Sequence, residues 1–297
     1  MFASLWMLFT LLAAAGQTAR NAMQRELTAT LGTVGATHVR FLFGFPFALV
    51  FLAGVLIVTG AVLPRPGLIY IPWILLGAGA QIVATAMMLA AMSDRSFVVT
   101  IAYIKTEAVQ AALFGLIFLG DPVTLPMVAA IAVATIGVVV MSLKGRGAAS
   151  GGVRPVVLGL VSAAFFALSA VGYRGAILSL EHANFVLAAT FTLTVGLVLQ
   201  AAVLTAYLAL RDRPVLTAIM RAWRPSLFAG FMGASASEFW FLAFALTSVA
   251  NVRTLALVEV LFAQAISSFV FKQPTSQREA WGMALIVLGV ALLIWVQ

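Results

Sequence analysis

Apolar residues run in about ten stretches of roughly twenty, separated by short polar connections, from one end of the chain to the other. A helix needs about 20 apolar residues to cross the ~30 Å hydrocarbon core of a bilayer, so each stretch predicts a membrane span. The spans fall at 2–19, 33–59, 67–91, 96–119, 124–143, 155–177, 184–209, 225–247, 252–271 and 276–296. The longest polar interruptions, Lys144 to Arg154 and Arg211 to Arg224, leave no space for a soluble catalytic domain. No basic residue precedes the first apolar run, so residues 1–16 are expected to remain as a span rather than be removed as a signal peptide.

The pattern repeats itself. At an offset of 152 residues, 96–143 align with 248–295 without a gap. Ser96 meets Ser248, Glu107 meets Glu259, Ala111 meets Ala263, Pro122 meets Pro274 and Gly137 meets Gly289. Upstream, Arg20-Asn21-Ala22 and Arg174-Gly175-Ala176 end the first and sixth spans, and Gly77-Ala78-Gly79 matches Gly233-Ala234-Ser235. Alanine and valine matches are free in so apolar a chain, so glutamate, proline and glycine carry the weight. Five spans per copy is an odd number, which turns the second copy upside down in the membrane. The expected fold is an all-α membrane protein of ten transmembrane helices in two inverted five-helix repeats, 1–143 and 155–297, joined by 144–154. Folds of this kind hold substrate near the midplane, between the repeats, and work by alternating access.

Composition agrees: 63% of residues are hydrophobic and only 9% charged, with a mean hydropathy of +1.13. The absence of cysteine excludes disulfides, thiolate metal sites and cysteine nucleophiles. The net charge of +8 does not point to nucleic acid, because the basic residues sit at span ends and in short loops, where they set orientation or meet anionic headgroups. Loops after odd-numbered spans hold Arg20, Arg25, Arg95, Lys144, Arg146, Arg154, Arg211, Arg213, Arg221, Arg224, Lys272 and Arg278. Loops after even-numbered spans hold little beyond Arg65, with Arg174 and Arg253 at their edges. The positive-inside rule then puts the odd loops in the cytoplasm and both termini outside. Trp6, Trp73, Trp281 and Trp295 read as interfacial belt residues near span ends.

The segment SDRSFVVTIAYIKTEAVQAALFGLIFLGDPVT, followed by the span with Gly137, resembles the fourth-to-fifth-span element of the drug/metabolite transporter superfamily, EamA-type branch. TSVANVRTLALVEVLFAQAISSFVFKQPTS, followed by the span with Gly289, resembles the same element of the second half, and residues 1–50 are similar to the first two spans. The resemblance implies ten spans in a five-plus-five inverted repeat, export or exchange of small metabolites, often amino acids, and both termini inside. Two departures stand out. The family's Glu-Pro pairs are Glu107-Ala108 and Glu259-Val260 here, and loss of proline should leave those helices straighter. The proton-coupling glutamate that small four-span relatives carry in their first helix has no counterpart, since neither the first nor the sixth span holds an acidic residue.

Ionisable groups at bilayer depth are costly and mark function by default. Lys105, Glu107, Glu238 and Glu259 lie inside spans, with His38 and Arg40 nearer an interface. Glu107 stands about 16 Å into its span at the helical rise, close to the midplane. On a continuous helix Tyr103, Glu107 and Gln110 form one polar stripe, and Gln81, Thr85 and Met88 form another on the third span. Lys105 is about 200° round the helix from Glu107, so it must meet an anion elsewhere: a glutamate of another helix, or a substrate carboxylate. The paired glutamates read equally well as helix-bridging groups. Glu238 has no counterpart in the first half, which favours binding of substrate or proton. Trp240 and Tyr103 are the aromatic cavity candidates. Arg20 and Arg174 read as helix-end charges.

These residues predict a secondary transporter, exporter or exchanger, of small polar metabolites such as amino acids and related zwitterions. It would sit in a bacterial-type inner membrane as a monomer or homodimer, with protons as a possible coupling ion and no cofactor. The alternative is a proton-coupled exporter of drugs or cationic compounds. No paired aspartates, His-Glu metal motif or Gly-x-Ser-x-Gly elbow supports an enzyme. No phosphate-binding loop supports an ATP-driven pump.

Overall fold

The computed structural model describes residues 4–94, 100, 103–142, 154–262, 264 and 276–296. Among these every regular element is a helix, named here α1 Leu5–Leu42, α2 Phe45–Thr59, α3 Tyr70–Asp94, α4 Glu107–Leu119, α5 Leu125–Ser142, α6 Arg154–Leu178, α7 Phe185–Arg211, α8 Arg213–Arg221, α9 Trp223–Leu246, α10 Val249–Leu255 and α11 Gln277–Trp295. Six segments, Met23–Thr59, Tyr70–Met92, Arg154–Leu178, Phe185–Arg211, Trp223–Leu246 and Gln277–Trp295, are long and apolar enough to cross a membrane. Glu107–Leu119 and Leu125–Val140 are shorter apolar helices. The fourth and ninth expected spans lie partly outside the described residues, as do Arg95, Ser96, Lys144, Arg146, Ala263, Lys272 and Pro274.

Four boundaries differ from the expectation, each for a physical reason. The first span does not end at residue 19: the helix continues through Arg20 and Asn21 to Leu31, because these polar side chains turn into the protein rather than out into water. The chain then breaks at Gly32, whose φ of 67° and ψ of 175° suit only glycine. The second span is interrupted at Phe43-Gly44, between α1 and α2. The loop 211–224 holds α8, a short amphipathic helix that buries Ile219. Lipid-side apolar residues such as Ile57, Val58, Leu210 and Trp295 are more than four-fifths exposed, as a bilayer-facing surface requires.

Glycine sets the closest helix contacts, as is usual where backbones must approach in a membrane. A β-carbon on Gly137 of α5 would lie 2.7 Å from Gly282 O and 2.8 Å from Ile286 N of α11. A β-carbon on Gly289 of α11 would lie 2.7 Å from Ala130 O and 2.5 Å from Ala134 N of α5. Adding 152 to 130, 134 and 137 gives 282, 286 and 289, so the contact is reciprocal, as at a two-fold axis. Outside this pair, the heaviest packing joins α3 to α6 and α1 to α9, and the repeat, shifted by a few residues upstream, exchanges these two pairs.

The tryptophan belt is only half as expected. Trp281 and Trp295 are exposed, whereas Trp6 is buried and Trp73 packs its ring against Gly175.

Candidate functional site

Both glutamate-bearing spans are interrupted where the glutamates sit. Residues 103–104 are helical, Lys105 and Thr106 form a turn, and α4 restarts at Glu107. In the second half α10 passes into a 3-10 turn, Ala256–Val258, just before Glu259. Straight helices were expected from the missing prolines, yet the interruption remains, with backbone groups bonded in tighter patterns such as Thr106 N to Tyr103 O, 3.2 Å. Local 3-10 bonding keeps these groups satisfied where water is absent. Glu107 consequently occupies the first turn of α4, where the positive end of the helix dipole favours a carboxylate. The break also divides the expected polar stripe. Tyr103 packs on Gly159 of α6, and Gln110 donates to Thr106 Oγ1 at 3.4 Å.

The charges pair across the two interruptions. Lys105 Nζ donates to Glu259 Oε2 at 2.5 Å, with both side chains buried. Arg253 Nε lies 2.7 Å from Glu107 Oε1, an ion pair whose N–H points off the oxygen. Arg253 also stacks over Trp240 at 4.6 Å and Phe244 at 5.2 Å. Gln17 of α1 ties the groups together: its amide donates to Glu259 Oε2 at 3.3 Å and its carbonyl accepts from Trp240 Nε1 at 3.0 Å. Gln17, Arg20, Lys105, Glu107, Arg253 and Glu259 line a cavity of about 20 Å³. That is room for about one water molecule. The site is closed.

A second polar group adjoins the first on α9. Arg40 donates to Thr85 Oγ1 of α3 at 3.2 Å and to Ser237 Oγ of α9 at 3.5 Å. Gln81 accepts from Tyr173 Oη at 3.1 Å and from Gln200 Nε2 at 2.9 Å. Arg40 and His38, expected nearer an interface, are both buried inside the protein, and His38 Nε2 meets Thr205 Oγ1 at 3.0 Å. Glu238 stands apart from the ion pairs, accepting from Thr190 Oγ1 at 2.5 Å and leaving Oε2 without a partner.

Reading the sequence missed Gln17, Arg20, Arg253, Tyr173 and Gln200. Arg20 carried a signal: Arg20, Asn21 and Gln24 share one helical face beyond the apolar run, and all three are buried. Arg174 is a helix-end charge of another kind. It donates to Phe244 O at 2.5 Å and Thr247 O at 2.6 Å, capping α9 rather than its own helix, and reaches Asp121 at 3.3 Å. A larger cavity, about 720 Å³, opens between the loops 61–69 and 179–184 with Arg65, Glu181 and His182 on its wall. It holds none of the paired intramembrane charges, which line the small central cavity instead.

Fold and buried charges together define an all-helical, multi-pass membrane protein. Residues 153–295 match the EamA-like transporter family. That match makes the second half a domain of the drug/metabolite transporter superfamily, which is built of membrane transporters. A solved crystal structure shares the fold with a TM-score of 0.73 at 15% identity, covering 99% of this chain and 96% of that one. No curated protein matches.

Proposed function

We propose that the protein is a secondary transporter of small polar metabolites, amino acids or related zwitterions, working by alternating access between two inverted halves, 1–143 and 155–297. The crossed ion pairs between the interrupted helices carry this reading. They join the two halves through groups that a substrate can compete for. The reciprocal Gly137–Gly289 contact supports a two-fold relation between those halves. A cavity with room for one water excludes an amino acid until the helices part, which is how a carrier differs from an open pore. Glu238, with one free oxygen, is the proposed partner for a substrate amine, and Trp240, Gln81 and Gln110 would line the path.

The free carboxylate of Glu238 also favours a second reading, an exporter of cationic compounds that exchanges a proton for cargo at that group. Counterflow into proteoliposomes tests both. Liposomes preloaded with unlabelled amino acids should take up labelled amino acid against its gradient, and Glu238→Gln should lose that uptake while purifying normally. Uptake without preload, at a rate proportional to concentration, would mean a channel. Counterflow of quaternary or aromatic cations, with amino acids inert, would establish the second reading instead.

A further inference from the structure

The intramembrane charges do not balance. Arg20, Arg40, Lys105 and Arg253 face Glu107 and Glu259 in and beside the central cavity, and the two glutamates are taken by Lys105 and Arg253. Arg20 and Arg40 are left over. Arg20 is 1% exposed, lines the cavity, and has one bond, from Nη2 to Asn21 Oδ1 at 2.8 Å. Its Nε and Nη1, and the Nε of Arg40, have no hydrogen-bond partner. The two side chains lie together against Gly233 of α9, where a β-carbon would sit 3.2 Å from Arg20 Cδ and 3.6 Å from Arg40 Cγ. Glu238, counted in, still leaves an excess of one positive charge.

Two adjacent buried guanidiniums with no carboxylate in ion-pair contact among the described residues are an expensive arrangement, even with Glu259 across the cavity from Arg20. Neither is doing structural work in proportion to that cost. Arg40 holds two hydroxyls, one of them at 3.5 Å, and Arg20 bonds only the residue beside it. The fork of an arginine offers paired N–H donors in the geometry that carboxylates and phosphates accept. Gly233 gives both stems space to reach one point. Lys105, the other cation of the first half open to a substrate acid, is already held by Glu259.

We infer that Arg20 and Arg40 form an oxyanion clamp, and that the transported molecule carries net negative charge: a dicarboxylate, an acidic amino acid or a small phosphate ester. This rests on the carrier reading above and narrows it. A neutral zwitterion adds no charge and leaves the excess in place, whereas an anion removes it. The anion's acid group bridges the free nitrogens of Arg20 and Arg40.

The test measures binding and stability separately from transport. Purified wild-type protein in detergent is melted with succinate, glutamate or glycerol 3-phosphate, and with glutamine and sodium chloride at matched ionic strength. At least one of the three anions should raise the melting temperature, with an affinity at least about ten-fold above that of glutamine. Arg20→Gln should remove that preference and, unliganded, should melt no lower than wild type, because it deletes an unpaired buried charge. Arg20→Lys should restore part of the binding. Arg40→Gln should also lose the preference, which keeps the test open if one variant fails to purify.

Equal shifts from all three anions, glutamine and chloride would overturn the clamp. So would an Arg20→Gln protein that melts lower yet keeps its anion preference. Transport is read apart from this. If neutral amino acids exchange in liposomes while the anions neither bind nor exchange, the carrier stands and the clamp falls. If the anions bind through Arg20 and nothing exchanges, the clamp stands and the carrier reading falls.

Discussion

At the scale of single residues, the centre is held by two glutamates whose partners come from the opposite interrupted helix. Removing one partner of a buried pair strands the other, at about 3–5 kcal/mol. Glu259→Gln should therefore lower unfolding stability by about that amount, since Lys105 has no second carboxylate within reach among the described ion pairs. Adding Lys105→Met should recover much of the loss, because replacing both charges can be nearly neutral. The double-mutant cycle is read by denaturation of the purified proteins, and strictly additive losses would refute the pairing. The glutamates were legible in the sequence because charge is rare in apolar spans and their spacing repeats. Their cations were not. Arg253 stood at a loop edge, and Lys105 could be assigned only to some anion elsewhere, since sequence spacing specifies neighbours on one helix and is silent on which helix lies opposite. Arg20 was misplaced because an apolar run marks where lipid-like surface ends, whereas the helix ends only where its backbone turns, eleven residues later at Leu31.

At the scale of elements, hydrophobic runs located most helices to within a few residues: the eighth expected span, 225–247, is α9 at Trp223–Leu246, and the sixth, 155–177, is α6 at Arg154–Leu178. The breaks were less legible. The turn at Lys105-Thr106 and the 3-10 turn before Glu259 carry no proline, so nothing local forces them, and tertiary pairing of the flanking charges accompanies them instead. The closest backbone approach belongs to α5 and α11. Gly137→Val and Gly289→Val should each destabilise the fold by at least about 1–3 kcal/mol through overpacking. The two losses should be similar, since each added side chain meets the equivalent backbone of the opposite helix. Melting curves of the two variants check this. A large loss at one site with none at the other would break the equivalence.

For the whole molecule, the charge bias and the family resemblance predict opposite orientations, and a direct measurement separates them. The sequence contains no cysteine, so single cysteines can be placed without first removing native ones. By the positive-inside rule, an impermeant thiol reagent applied to intact cells should label Arg65→Cys and spare Arg213→Cys. The reverse pattern would put both termini in the cytoplasm. Either orientation leaves one property of the crossed ion pairs unchanged. Lys105 reaches from the first half to an acid on the second, and Arg253 reaches from the second to an acid on the first. The pairs are thus opposed dipoles with no net charge. A membrane potential does about 2.3 kcal/mol of work per unit charge per 100 mV, but on this foursome, which sums to zero on each half, its forces cancel. In the proposed carrier, voltage sensitivity then comes from charges outside the foursome, Arg20, Arg40 and Glu238 among them, and from the cargo, so current recorded during exchange would count the charge moved.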